Sequence, residues 1–569
     1  LVDYLRNIEA WAVKDPKHAF HLSNCEPEEL GEAKEELSGW PERFDQGEAE
    51  ILYVYGIGAG GIFLQAKKWL EEGKERRLVF IEDDLKNIGR FMLSENAEPF
   101  LRHPRAELCF MPHIEKDRTG LQGLFLEFVL KPFKVLAHPD YLKEKKERFE
   151  LLKNRLMHES EQRDALLEEY LQRGIVFFRN YYCNMLQLPR SYEGAKLAGK
   201  FKGVPAIICG AGPSLQKNIA LLETLQERAV IFGGGSSLNA LHAAGMLPHF
   251  GVGLDPNPAQ EERLSVSGAT GVPFFYRNRM FHPAFKLIEG PRLYTPGSGG
   301  FDISHYFDKR FGLEGHWEDI GHNVVNFSLR IAKELGCNPL ILVGVDLAYS
   351  GRKSYADGVV ADPSLSDSDL KGCTFKRNNI FGEEVHTDWK WLSESEWIAE
   401  FAEENPELKV INCTEGGLGM RGVPNLPLKE AAEKHLKKSY PLKERIEEAI
   451  RQAGRIAATA EEVVRAMEEL KESLSRCMQH LDILIEDLAS GGEAQSGRAA
   501  LAEIELAEEP GFSYVLHVFN EAFGCIINQQ MRRLEEGTAE RAQLNLERLS
   551  FVRNVAKTNC ELLDLALAG

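Results

Sequence analysis

Two glycine-rich turns are the first residues in this sequence whose types and spacing could do chemistry. Gly210-Ala211-Gly212-Pro213-Ser214 follows a short apolar run and precedes helical text from Gln216 onward. Small residues there leave backbone N–H groups uncovered at a helix start. Ser214 can cap that helix or offer its hydroxyl, so the turn suits a nucleotide phosphate. Two later apolar runs also end in small or polar residues, Gly233-Gly234-Gly235-Ser236-Ser237 and Asp255 with Asn257. Ligands of open α/β sheets bind outside the carboxyl ends of the strands, and three such endings together predict a nucleotide cleft. The earlier turn, Gly56-Ile57-Gly58-Ala59-Gly60-Gly61, fits G-x-G-x-x-G at Gly56, Gly58 and Gly61, and Glu82, Asp83 and Asp84 close the next apolar run. Such glycines admit a phosphate at the helix start, and a carboxylate such as Asp83 accepts ribose hydroxyls, which makes this a second cofactor turn for a nicotinamide or adenosyl ligand. The same glycines also serve a turn that only packs a strand tightly against a helix.

His386 stands directly before Thr387 and Asp388. An imidazole titrating near neutrality can take a proton from an attacking hydroxyl. Thr387 or Asp388 can equally cap a following helix and leave the histidine at the surface. Asp367-Ser368-Asp369 spells the D-x-D with which two carboxylates can share a divalent cation with a phosphate donor. It lies in polar loop text, where a solvated acidic loop is the ordinary reading, so a metal requirement stays open.

Positioning these residues requires strands that end at one edge. Ile51 to Tyr55 and Val204 to Cys209 read as buried strands, each followed by a glycine turn and a helix, the alternation of α/β layers with a parallel sheet. The text from Tyr141 to Tyr182 is charged and helical, and the stretch from Asp357 to Phe381 reads as a polar loop over the sheet edge. From Leu442 to Leu484 apolar residues recur at three-four spacing, which predicts one long amphipathic helix, and helical text continues to Leu567. The resulting division is an N-terminal Rossmann-like domain over 1–140, a helical connector over 141–195, a central nucleotide-binding domain over 196–430 and an all-α domain over 431–569.

The chain has 569 residues, 43% hydrophobic and 27% charged, the proportions of a globular protein rather than a disordered or collagenous one. Lys and Arg total 68 against 87 Asp and Glu, a formal charge of −19 that repels a polyanion such as nucleic acid overall. No apolar run approaches a membrane span, and the N-terminal text carries charge where a signal peptide needs an apolar core. The ten cysteines are scattered without a C-x-x-C pair, which favours a reducing, cytoplasmic setting over a disulfide framework. The oligomeric state is not legible.

Four runs carry a resemblance: GAGPSLQKNI, GGGSSLNALHAAGMLPHFGVGLD, IGHNVVNFSLRIAKELGCNPLILVGVDLAYSGRKSYADG and VINCTEGGLGMRG. In order and spacing they resemble the motility-associated factor (Maf) family of flagellin glycosyltransferases, whose central domain is similar to bacterial sialyltransferases. The resemblance covers nearly the whole chain. It implies an α/β fold with a Rossmann-like N-terminal domain, a central Rossmann-like, GT-A-like domain of the sialyltransferase type and an all-α C-terminal domain. It also implies transfer of a nonulosonic acid, pseudaminic or legionaminic in type, from a CMP-sugar donor to Ser or Thr of an acceptor protein such as flagellin.

Carried over, Gly210, Gly212, Pro213 and Ser214 match the nucleotide turn, Ser236 and Ser237 fall where ribose or base contacts are expected, and Asp255 closes the third strand. Gly321, His322 and Asn323 match a small polar turn near the donor, with His322 departing from the commoner wording. Asp346 ends a strand, Tyr349 and Tyr355 match tyrosines that hold phosphate, and Thr414, Glu415, Gly416 and Gly417 match a TEGG turn. The resemblance to sialyltransferases makes His386 the expected general base. Two other readings stay open: a pterin diphosphokinase-like enzyme using ATP, with Asp255 or Asp346 on magnesium, and a non-catalytic nucleotide-binding scaffold.

Overall fold

The apolar runs pair in parallel, in two separate sheets. The computed structural model describes residues 2–31, 49–114, 131–172, 174–297, 300–313, 323–349, 353–359, 375–490, 496–531 and 538–569. It divides into two compact units, Leu1–Ala165 and Leu166–Gly569.

In the first unit β1 (Ile51–Tyr55), β2 (Arg77–Glu82), β3 (Ala106–Phe110) and β4 (Phe133–Ala137) form a parallel sheet in the order β3-β2-β1-β4. Alternate side chains leave opposite faces of a strand. Leu52, Val54 and Phe80 accordingly join one apolar cluster, while Ile51, Tyr53 and Ile81 join another with Tyr141 and Phe149. Every residue of β1 is buried, as a strand covered on both faces must be. This is a Rossmann-like half-sheet whose strand order reverses between β1 and β4, and the Gly56 turn lies just outside that reversal.

The second unit is built on β5 (Tyr192–Glu193), β6 (Ala206–Cys209), β7 (Val230–Gly234), β8 (Phe250–Gly253), β9 (Phe274–Tyr276), β10 (Arg292–Tyr294) and β11 (Leu340–Val343). An antiparallel hairpin follows, β12 (Phe375–Asn378) with β13 (Glu384–Thr387), and then β14 (Val410–Asn412). The main sheet has eight strands in the order β14-β11-β6-β7-β8-β9-β10-β5, parallel throughout. The stretch read as a polar loop up to Phe381 thus contains a strand, because Phe375–Asn378 pairs with the residues around His386.

Beyond β14 the described secondary structure is helical. The single helix expected from Leu442 to Leu484 is two, Leu442–Ala453 and Ala460–Ala489. Gly454 ends the first at φ 72, and Thr459 with Glu462 forms a reciprocal capping box that starts the second. Leu470, Leu474, Cys477 and Leu481 then lie in one apolar core with Phe177, Tyr181, Tyr276 and Phe301. The helical region and the β9–β10 side of the sheet share that core. The Tyr182 hydroxyl donates to Asn559 Oδ1 at 2.9 Å, and the Phe177 and Phe301 rings stack at 3.7 Å.

Candidate functional site

From β6 the chain winds outward through β7 to β10, then returns to the other side of β6 as β11. Such a switch point opens a crevice at the carboxyl ends of the two strands, and the Gly210 turn stands there. Gly210 N–H donates to Val343 O at 2.8 Å, and Gly212 N–H donates to Gly344 O at 2.7 Å. A Cβ on Gly210 would sit 2.4 Å from the Gly344 carbonyl oxygen, and one on Gly212 would sit 2.2 Å from a carboxylate oxygen of Asp346. Gly210 is pressed against the backbone of the next strand end and Gly212 against the Asp346 side chain, so neither leaves room for a Cβ.

Asp346 is the centre of this edge. Its buried carboxylate accepts the Ser214 hydroxyl at 2.6 Å and the Ser214 N–H at 3.2 Å. Its carbonyl accepts Leu418 N–H at 2.9 Å, and Gly417 lies against it so closely that no side chain fits. Val345 N–H donates to Thr414 Oγ1 at 3.0 Å. The Gly210 turn, the segment after β11 and the Thr414–Gly417 turn therefore meet at one residue. Leu347, next in the chain, holds φ 52, a conformation that costs a branched residue roughly 1–3 kcal/mol and persists only where its surroundings fix it. Ser214 makes no cap bond with its side chain; its hydroxyl serves Asp346 instead.

The other expected residues fall around this centre. Ala356 N–H donates to Ala211 O at 2.8 Å, which brings the Tyr355 segment onto the turn. Ser237 closes on its own strand end, its hydroxyl exchanging bonds with Gly234 N–H and Gly234 O, and Ser236 beside it is buried. Asp255 accepts Asn257 N–H at 2.9 Å and Gln260 Nε2–H at 3.0 Å. Glu415 takes Lys217 Nζ on its carbonyl at 2.7 Å, and Gly416 is half-buried. Asn323 caps the helix Val324–Glu334 by accepting Asn326 N–H, and Val324 stands so near Gly234 that a Cβ there would meet it at 2.2 Å. Gly321 and His322, and the Asp367-Ser368-Asp369 run, lie outside the described residues. Among those described, no three His, Cys, Asp or Glu side chains gather to hold a metal ion.

Tyr349 and His386 are brought together. Tyr349 N–H donates to His386 O at 2.8 Å, and His386 pairs with Lys376 across the hairpin. Residues paired across antiparallel strands share a face, so Tyr349, His386 and Lys376 stand in a row, with exposed Glu384 two residues along β13 on the same face. Thr387 turns inward and donates its hydroxyl to Leu347 O at 2.7 Å. Asp388 caps the helix Trp389–Glu404 through Trp391 N–H at 2.9 Å, and its other oxygen is 3.5 Å from the Tyr349 hydroxyl. The Trp391 and Tyr349 rings lie 4.5 Å apart.

Sequence reasoning passed over two features of this edge. Arg277, Asn278 and Arg279 follow β9 and are buried, with the Arg277 guanidinium 4.7 Å from the Phe327 ring and that of Arg279 5.7 Å from Phe177. Two arginines directly after a buried strand were a readable sign of positive charge at the carboxyl edge. The second is Glu394, half-buried in the helix Trp389–Glu404, whose carboxyl burial pushes up to about 7. Lys390 opposes that rise and Asp388 adds to it. Nothing in its helical surroundings marks Glu394 in the sequence.

The turn of the first unit is engaged by its own unit. Gly56, Gly58 and Gly60 have φ of 89, 57 and 90, and Gly61 begins the helix Gly61–Glu72. The Tyr141 ring covers Gly56, where a Cβ would meet it at 2.8 Å. Fully buried Glu82 accepts N–H bonds from Ile57, Asp83 and Asp84 and the Tyr141 hydroxyl at 2.6 Å. Asp83, the expected ribose acceptor, is held by Tyr55 at 2.5 Å, Lys145 at 2.7 Å and Arg148 at 3.0 Å.

Comparison with known proteins bears on both units. A family model described as 6-hydroxymethylpterin diphosphokinase MptE-like matches residues 179–352. No curated protein matches the sequence. Among solved structures, the Maf glycosyltransferase from Magnetospirillum magneticum AMB-1 is similar over 99% of this chain and 96% of its own, at 16% identity and a TM-score of 0.52. The chain shares that fold. The resemblance first carried by four sequence runs thus extends to the α/β architecture with its helical C-terminal region. Among the described residues no helix is long and apolar enough to cross a membrane.

Proposed function

We propose that this chain is a glycosyltransferase that moves a nonulosonic acid, pseudaminic or legionaminic in type, from a CMP-sugar to Ser or Thr hydroxyls of an acceptor protein such as flagellin, in the cytoplasm. The observation that carries the reading is the Gly210 turn at the switch point of the eight-stranded sheet, within a fold similar from end to end to a Maf glycosyltransferase. Half-buried Ala211, Gly212 and Pro213 stand at the start of the helix Leu215–Thr224, the end of a helix that favours a negative charge. Tyr349 and Tyr355 stand on segments tied to that turn or to the hairpin beside it, where a donor phosphate would be held. The acceptor approaches over the hairpin face that carries His386. The first unit's Gly56 turn is no donor site in this reading, since Tyr141 and the engaged carboxylates fill it.

A second reading is favoured by the match to the MptE-like model: ATP-dependent diphosphoryl transfer. It asks Asp255 or Asp346 to hold magnesium, and both carboxylates are already bonded, to Gln260 and Asn257 and to Ser214. A thermal-shift panel of CMP, UDP and ATP separates the two, because a ligand that binds only the native state raises Tm. CMP alone is expected to raise it, followed by a mass increase of one nonulosonic acid on flagellin given the CMP-sugar. A shift with ATP and magnesium but not CMP overturns the proposal.

A further inference from the structure

The turn after β9 brings a buried guanidinium to the ligand edge of the second unit, and nothing in the reading above uses it. Arg277 N–H donates to Gly253 O at 3.3 Å and Phe281 N–H donates to Asp255 O at 3.0 Å, so the turn is laced to the carboxyl end of β8. Met280 N–H closes it onto Arg277 O at 3.0 Å. From the helix Gly174–Met185, fully buried Asn184 donates its amide to Asn278 O at 2.8 Å and to Met280 O at 2.6 Å. The backbone that carries Arg277 is thus fixed from two elements. Alternate residues along a strand share a face, so Arg277 continues the face of Phe275, which packs in one core with Phe327. Its guanidinium lies 4.7 Å from the Phe327 ring, and the side chain is 1% exposed. Phe327 is one turn into the helix Val324–Glu334, whose first residue abuts Gly234 at the end of β7. The ends of β7, β8 and β9 therefore meet around this charge.

Resting on the CMP-sugar reading, we propose that Arg277 binds the carboxylate of the donor sugar and so selects an acidic sugar. A CMP-nonulosonic acid carries two anions, the phosphate and a carboxylate on the anomeric carbon. In that reading the phosphate belongs to the Gly210 turn at the end of β6. β9 lies three strands from β6, about 14 Å at the spacing of neighbouring strands, and a side chain directed from β9 towards the helix that starts at β7 closes much of that gap. The second anion then falls to Arg277. The N–H groups of a guanidinium lie in its plane and match the two oxygens of a carboxylate, while stacking on Phe327 uses only the flat face. Burial strengthens such a charged hydrogen bond. A turn already fixed by Asn184 also loses little freedom when the sugar binds.

The test compares the full chain with Arg277→Gln and Arg277→Lys by calorimetry. Its ligands are CMP, whichever of CMP-pseudaminic, CMP-legionaminic and CMP-N-acetylneuraminic acids the wild type binds most tightly, and the carboxamide made from the carboxylate of that donor. The wild type is expected to bind the acid about tenfold to a hundredfold more tightly than the amide, the worth of a hydrogen bond to a charged group. Arg277→Gln should lose about that factor for the acid, seen also as a raised KM, and should lose nothing for the amide or for CMP. Arg277→Lys keeps the charge without the planar fork, so it should keep its fold and fall between the two. Equal affinity of the wild type for acid and amide overturns the proposal without any variant. Unchanged affinity of Arg277→Gln for the acid overturns it too, as does an equal loss of CMP and donor, which would put the phosphate on this residue. Unfolding of Arg277→Lys would mark a purely structural arginine and also overturn it. Each of these outcomes leaves the transferase reading standing. If the wild type binds neither CMP nor any of the donors, that reading itself falls and this role falls with it.

Discussion

The two glycine turns are built alike and are used differently. Each follows the strand at a reversal of strand order, each opens a helix, and each binds a carboxylate from the end of the neighbouring strand through backbone N–H groups. In the first unit that carboxylate is Glu82, and the space a ligand would occupy is filled by Tyr141, Lys145 and Arg148. In the second it is Asp346, which joins the turn to two further loops and leaves Ala211, Gly212 and Pro213 half-buried at the cleft. A glycine fingerprint therefore reports that a backbone must come close to something. In one unit that something is a tyrosine ring; in the other it is the next strand end.

This contrast can be broken by paired substitutions. Gly212→Ala forces a methyl against Asp346, and overpacking of that kind costs roughly 1–3 kcal/mol, so CMP affinity should fall by about tenfold to a hundredfold in calorimetry. It disturbs the clamp as well as the ligand path, so a bulkier valine there would damage the fold too. Gly56→Ala meets both Tyr141 and an unfavourable positive φ. It should cost the first unit about 2 kcal/mol or more in denaturant unfolding while CMP affinity stays at the wild-type value. Equal loss of CMP binding in both variants would end the distinction.

A smaller effect is expected from Tyr141→Phe, which removes the hydroxyl that donates to Glu82 and accepts from Asn87. Leaving a buried carboxylate one donor short costs roughly 1–3 kcal/mol, read as a lower unfolding midpoint of the first unit with no change in CMP binding. The last effect concerns pH. Burial pushes His249 and His282 of the second unit down to about 4, so the fold favours their neutral forms. That contribution is complete above the unfolded value of about 6.5 and is lost as pH falls towards 4. Asp308, pushed up to about 6 by burial, works in the opposite sense and weakens the fold as pH rises through that value. The difference between wild type and His249→Gln isolates the histidine part: the wild type should lose more Tm between pH 6.5 and 4 than the variant, and parallel curves would contradict the assignment.

The sheets were legible because buried parallel strands are written as unbroken apolar runs; Ile51–Tyr55 was read to the residue. The β12–β13 hairpin was not, since Phe375–Asn378 and Glu384–Thr387 are mostly polar and are made strands by their pairing and by Tyr349. The break at Gly454 was written plainly in a glycine and a T-x-x-E box, but three-four spacing persisted across it and hid both. At the site, the sequence shows which residues end strands and not where their side chains turn. Ser214 has the chemistry of a cap or a ligand and serves Asp346. His386 lies on a strand, with Asp388 as the cap of the helix that follows. Glu394 acquires its raised carboxyl from burial, which a helical repeat does not record.

The core shared by the C-terminal helices and the β9–β10 side of the sheet decides how this chain can be cut. Leu470, Leu474 and Leu481 are wrapped by Phe177, Tyr276 and Phe301 rather than by one another alone. A shortened protein ending after β14 would bare that aromatic surface, and residues 460–567 expressed separately would bare its complement. Neither fragment is a detachable module, so recombination, proteolytic trimming or fusion at that border trades away the solubility of both halves, whereas a junction placed within the first unit leaves the seam untouched.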